Sequence, residues 1–304
     1  MIHIFTALIP IFSLIMIGYF FKRIKFPSYD FWPQADKLTY YVLMPSLLIY
    51  KLSTASLDSS NSVNYVLTAL ITIFIVLLIL MFLNKFLNFQ EDSFTSIVQG
   101  GIRFNTYVFL ALADAVLGDN GIVLAAILLT FVIPFINVLC ISIFALYISQ
   151  SKLTFLYLVK SIITNPLIIG CFIGGSINFL SIDIPIILEN TIQILGQAAL
   201  PLGLLSVGFG LVLKEIKASK KDIFTSSFAK HLITPIIMFC VAKYFGLDDT
   251  MILVLLIFSV LPTAPSSFIL ARQLGGNIGL MSSIITVQTL ISALFIIVVL
   301  NFFN

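Results

Sequence analysis

Apolar residues in this chain neither alternate nor keep to one helical face; they come in long runs. Stretches of about 20 residues rich in Ile, Leu, Phe and Val are separated by short polar interruptions from end to end. A helix needs about 20 apolar residues to cross a hydrocarbon layer ~30 Å thick. On that template the pattern predicts ten spans, at 2–21, 35–53, 63–87, 94–117, 121–149, 154–178, 185–213, 222–245, 249–272 and 277–301. No interval between them could hold a soluble domain. The expectation is one all-α integral membrane domain.

Composition agrees. Hydrophobic residues make up 60% of the 304 positions and charged residues 10%, with a mean hydropathy of +1.14. A soluble domain carries about 25% charged residues to keep its surface wet, so the solvent here must be lipid. The net charge of +3 points to no nucleic-acid partner, because the basic residues sit in a few short loops. Cys140, Cys171 and Cys240 lie singly inside apolar stretches, a spacing of neither a disulfide framework nor a metal site. His3 and His231 are the two histidines, which leaves little scope for an imidazole metal centre. No metal or cofactor is expected.

The first run, Met1–Phe21, has no basic residue before it and is followed by Lys22, Arg23 and Lys25. A cleaved signal has the reverse polarity, so this run reads as the first span. The loop after it also holds Lys37, and the loop after span 7 holds Lys214, Lys217, Lys220 and Lys221. Lys85, Lys152 and Arg272 follow spans 3, 5 and 9, against Lys51 and Lys243 on the other side. By the positive-inside rule the odd-numbered loops are cytoplasmic and both termini are extracytoplasmic in the cell membrane.

Shifting the sequence by 156 residues superposes Pro10 on Pro166, Gly18 on Gly174 and Pro45 on Pro201. One residue more superposes Gly118 on Gly275 and Asn120 on Asn277. Each unit, 1–150 and 151–304, holds five spans, an odd number, so the second would enter the membrane inverted. Inverted repeats are a common architecture of secondary transporters.

Two spans carry signs of interruption. Span 9 contains Pro262, Thr263, Ala264, Pro265 and Ser266; two prolines three residues apart remove two donors and clash with the preceding turn. Span 4 contains Gly100, Gly101, Arg103, Asn105 and Thr106 at the matching place, without proline. Unpaired backbone costs several kcal/mol per group in lipid, so such breaks belong around a protein-lined cavity. Half-helix N-termini presented there suit a carboxylate. Arg103, Asn105, Thr106, Pro262, Thr263, Ala264, Pro265 and Ser266 are the candidate substrate-binding residues. Pro45 and Ser46 in span 2 and Pro201 in span 7 could flank them. Gly170 and Gly174 read as close helix packing.

Arg103, Asp114, Arg272, Lys230 and His231 are the charges at or near membrane depth, where insertion costs at least about 2.5–3.5 kcal/mol. Arg103 and Arg272 could attract an anion; Asp114 or His231 could carry a proton. Snorkelling to the headgroups is the alternative for Arg103, for Arg272 and for Lys230 with His231.

The segments Tyr41–Leu48, Asn165–Gly170, Leu195–Leu202, Pro262–Ser267 and Ala271–Gly276 resemble the auxin efflux carrier family, which includes plant auxin exporters and bacterial malate or malonate permeases. The similarity runs through nearly the whole chain. It implies ten helices, elevator-type alternating access and a carboxylate bound where spans 4 and 9 cross, with the family's span-4 asparagine at Asn105. The expected function is secondary transport of small organic anions, malate- or malonate-like or auxin-like. A sodium-coupled bile-acid-type symporter and a passive anion channel are the alternatives. An intramembrane enzyme is disfavoured, since no nucleophile is paired with a base. The partners are then the anion, the bilayer and a coupled proton, and a homodimer is left open.

Overall fold

The computed structural model describes residues 2–55, 61–148, 160, 163–212 and 219–303. The expected repeat junction at 150/151, Lys152, the first residues of the sixth predicted span, Lys214 and Lys217 lie outside them. Among the described residues every regular element is helical. They are α1 (Ile2–Ile24), α2 (Phe31–Leu38), α3 (Met44–Ser53), α4 (Ser62–Leu87), α5 (Glu91–Ile102), α6 (Thr106–Tyr147) and α7 (Pro166–Phe179). Then follow α8 (Ile186–Gln197), α9 (Ala199–Gly210), α10 (Lys220–Phe228), α11 (Thr234–Tyr244), α12 (Asp249–Ser259), α13 (Ser266–Leu274) and α14 (Ile278–Phe302).

Among the described residues five helical runs are long and apolar enough to cross a membrane: Ser62–Leu87, Glu91–Tyr147, Ile186–Gly210, Lys220–Tyr244 and Ile278–Phe302. The sequence pattern predicts ten. Part of the difference lies in the 57-residue run Glu91–Tyr147, which holds predicted spans 4 and 5 and is not one rod. It is interrupted after Ile102 and again at Gly118, whose φ of 59° and ψ of −142° are not helical. A Cβ added to Gly121 would lie 2.1 Å from the carbonyl oxygen of Ala113, eight residues earlier. Eight residues of straight helix span ~12 Å, so the chain turns back on itself at Gly118. Other predicted spans are present as shorter apolar helices, α7 and α12.

Prolines set further irregularities. The backbone widens to five-residue hydrogen bonding over Thr39–Leu43 and Ala229–Ile233, with Met44 N–H donating to Thr39 O and Thr234 N–H to Ala229 O. Pro45 and Pro235 follow directly. Each lacks the N–H that a regular helix would direct at the carbonyl four residues back, and the wider turn accommodates the gap.

Two helix pairs approach at backbone distance. A Cβ on Gly18 of α1 would fall 1.9 Å from Leu205 O of α9, and one on Gly208 would fall 1.8 Å from Ile15 O. On α7, Gly170 and Gly174 lie in the same way against Pro45 and Ile49 of α3, the close packing expected of that pair. Phe94, Phe109, Phe144 and Phe258 fill the core. Large apolar side chains such as Phe172, Ile187 and Leu294 point outward, as a lipid-facing surface requires.

Candidate functional site

Helix α5 stops at Ile102, and Arg103 (φ −78°, ψ 159°) and Asn105 (φ −85°, ψ 108°) are extended before α6 starts at Thr106. Helix α12 stops at Ser259, and α13 begins only at Ser266. The two interruptions lie against each other. Asn105 N–H donates to Pro262 O at 2.8 Å.

Each break leaves helix-end groups that need partners. Gly100 O has lost the N–H four residues on; Gln288 Nε2 of α14 donates to it at 3.0 Å. Thr263 Oγ1 lies 3.0 Å from the same carbonyl and 2.6 Å from Gln288 Oε1, so its one proton can serve either. Thr263 N–H donates to Gln288 Oε1 at 3.0 Å. Gln288 therefore joins both breaks. Space for this comes from Gly100, where a Cβ would fall 2.0 Å from Ser226 Oγ.

The new helix starts are finished differently. Asn105 Oδ1 accepts from Tyr107 N–H at 3.0 Å and Val108 N–H at 3.3 Å, an N-cap on α6. Asn165 does the same for α7, accepting from Leu167 and Ile168 N–H. Helix α13 has no side-chain cap. Free N–H groups at both breaks, as the sequence suggests, are thus not what the first break offers: its own asparagine takes them. What Asn105 leaves open is Nδ2, which is buried with no partner.

Beside the breaks is a cavity of about 140 Å³, smaller than the ~300–1,000 Å³ typical for a drug-sized ligand. Tyr40, Arg103, Thr106, Asn137, Asn165 and Ser266 supply its polar groups, and Phe104, Ile133, Ile136 and Leu167 part of its apolar wall. Arg103 is held in place: Nη1 donates to Asn137 Oδ1 at 3.2 Å and Nη2 to Ser266 Oγ at 3.1 Å. Neither ion pair among the described residues, Lys51–Asp119 or Lys243–Asp249, includes it. A guanidinium on neutral partners, with the uncapped α13 starting next to it, makes the cavity electropositive.

Of the sequence candidates, Arg103, Thr106, Ala264 and Ser266 line the cavity, while Asn105, Pro262 and Thr263 form the joint between the breaks and Pro265 directly precedes α13. Three are not brought to the lining. Pro45 packs on Gly170, the Ser46 hydroxyl donates back to Val42 O, and Pro201 is exposed on α9. A proline bends a span without saying which side of the bend meets the site. Asp114 is exposed four residues before the turn at Gly118, and Arg272 is exposed near the end of α13. His231 is buried away from the cavity lining, with Nδ1 3.1 Å from Ser227 O and its ring 5.0 Å from that of Phe295.

Tyr40, Asn137 and Asn165 are lining residues the sequence reading did not select. Asn137, three residues after Pro134 in an apolar run, and Asn165, directly before Pro166, are polar residues whose neighbours carried a signal.

In comparison with known proteins, residues 3–300 match the family described as membrane transport protein. A protein of Rhizobium meliloti (strain 1021) bearing the name "Putative malonate transporter" is 25% identical over 298 residues, covering 96% of this chain and 93% of that protein.

Proposed function

This chain belongs to the membrane transport protein family of auxin efflux carriers, and from that premise we propose that it is a secondary carrier of small organic anions. That it is a multi-pass membrane transporter and not an enzyme follows from the family and the apolar helices. The observation that carries the finer reading is Arg103. A cation with no acid beside it, in a cavity formed where two helices are interrupted, calls for an anion to enter. Malonate is the first candidate, by the name of the Rhizobium meliloti relative.

The transport cycle we propose is an elevator between two inverted five-helix repeats, 1–150 and 151–304, with spans 4 and 9 crossing at the site and both termini extracytoplasmic. Contacts related by the repeat offset support this. Gly18 meets Leu205 and Gly174 meets Ile49; each residue of the first contact is 156 positions from its counterpart in the second. The bond between the breaks, Asn105 N–H to Pro262 O, joins residues 157 apart, the offset that also relates Gly118 to Gly275, both with positive φ.

The test is a panel of radiolabelled mono- and dicarboxylates offered to purified protein in liposomes, with and without proton and sodium gradients. Saturable malonate uptake, stimulated by malonate on the opposite side, is expected. Flux linear in concentration and free of counter-stimulation would mean a channel, strict sodium dependence the bile-acid type of coupling. If no acid in the panel crosses, the carrier reading is wrong.

A further inference from the structure

Lys230 is the one buried Lys, Arg, Asp or Glu side chain among the described residues, at 1% exposure. It sits in the widened turn Ala229–Ile233, which Pro235 follows. Its Nζ lies 5.3 Å from the ring centre of Phe258. Phe258 packs edge-on against Phe104 at 4.6 Å, and Phe104 belongs to the first break and lines the cavity. Two aromatic rings, and no charged side chain, thus stand between this amine and the anion site.

Among the described residues no acid faces Lys230 from any element packed on it. Its own helical run has Lys220, Lys221 and Asp222 at one end, Lys243 and Tyr244 at the other, and His231 beside it. Helix α4 brings Tyr65 and Lys85 near its two ends; α5 brings Glu91 and Asp92 in its first turn, with Arg103 just beyond its last. The charge on α12 is Asp249, its first residue, and α14, whose Phe295 touches His231, holds no titratable residue. Neither ion pair among the described residues includes Lys230. Close by in sequence, Ser227 Oγ and His231 Nε2 are buried without partners.

Resting on the carrier reading above, we propose that Lys230 is the residue that carries the coupled proton. Removal from water penalises an ammonium, and a nearby anion offsets that penalty, strongly so where the dielectric is low. With the cavity empty, the amine is neutral. When a carboxylate occupies the cavity, the amine takes one proton from the aqueous side and becomes ammonium, no other bond changing. When the anion leaves, the proton leaves with it. Anion and proton therefore cross together, and the empty carrier returns without the extra charge.

Arginine separates this from a merely structural lysine, because its guanidinium does not deprotonate in proteins. In liposomes with [14C]malonate, Lys230→Arg should exchange malonate within about threefold of the unmodified protein while accumulation driven by an acid outside falls at least about tenfold. Lys230→Gln, which carries no proton, should likewise lose gradient-driven accumulation, and its residual exchange should no longer depend on pH. Accumulation by either variant equal to that of the unmodified protein overturns the proposal; if the arginine variant fails to fold, the glutamine variant decides. Unmodified protein that exchanges malonate but ignores an imposed pH gradient also overturns it, and leaves the carrier reading standing. Unmodified protein that exchanges no acid at all removes that reading and the proton role together.

Discussion

The two interruptions do the same job with different chemistry. At 103–105 there is no proline: the helix stops although every residue could continue it, and the new helix is capped by the Asn105 side chain. At 260–265 two prolines remove donors outright, Thr263 N–H goes to Gln288, and α13 starts with no side-chain cap. The second break is written into the local sequence and would persist in isolation. The first is held open by what surrounds it: Gln288 on Gly100 O, Pro262 O on Asn105 N–H, and a Gly100 that admits Ser226. The bond between them runs one way only, since Pro262 has no N–H to return. The proline break is the template and the asparagine break conforms to it.

If that ordering is right, the largest effect follows from closing the template. A proline inside a helix costs about 3 kcal/mol or more, so Pro262→Ala with Pro265→Ala should let α12 run on into α13. Malonate affinity, measured by equilibrium binding to the purified protein, should fall beyond about 100-fold. Next comes the shared partner. Gln288→Leu leaves Gly100 O and Thr263 N–H short of a bond, about 2–6 kcal/mol at ~1–3 per buried group, read as a lowered melting midpoint in detergent. A melting curve unchanged by this substitution would mean the first break stands without the second.

Arg103→Gln removes the charge on the cavity but neither break. A hydrogen bond to a charged group is worth about 1.5–3 kcal/mol, or roughly 10- to 150-fold in affinity, with stability little altered. Asn105 can be split into its two roles. Asn105→Ser keeps a hydroxyl that can cap α6 and deletes the Nδ2 donor, whereas Asn105→Ala loses both. Affinity should drop about 5- to 150-fold in each, and only the alanine variant should also lose the cap, about 0.5–2 kcal/mol. Equal melting midpoints for the two would show that the cap carries no weight. The smallest effect is expected at Asp114, exposed beside the turn. Uptake by Asp114→Asn within about twofold of the unmodified protein is the outcome; abolished proton-driven uptake would move the coupling role from Lys230 to this carboxylate.

The helical membrane class was legible because run length and lipid thickness are tied by one geometric constant. The second break was legible because proline acts locally. Placing the first break at Asn105 took the repeat offset, since glycine and asparagine also occur in unbroken helices. The widened turns before Pro45 and Pro235 were not legible: proline forbids one hydrogen bond but does not choose between a helix that runs on, a wide turn and a stop, and Pro134, Pro45 and Pro262 show one each. Tyr40, Asn137 and Asn165 come from three separate helical segments and meet only after packing, so no spacing along the chain could select them. The burial of Lys230 against Phe258 was equally hidden, since sequence shows that a lysine lies in a span but not what faces it.

The joint between the breaks also limits how the cavity can be reached. Asn105 N–H to Pro262 O, Thr263 Oγ1 on Gly100 O and Arg103 to Ser266 all stitch one wall to the other. A pocket sewn shut along its seam cannot gape like a pair of jaws without tearing those stitches inside a medium that offers no replacement. Under the elevator cycle proposed above those stitches would stay whole, the closed pocket sliding as one cabin past its frame.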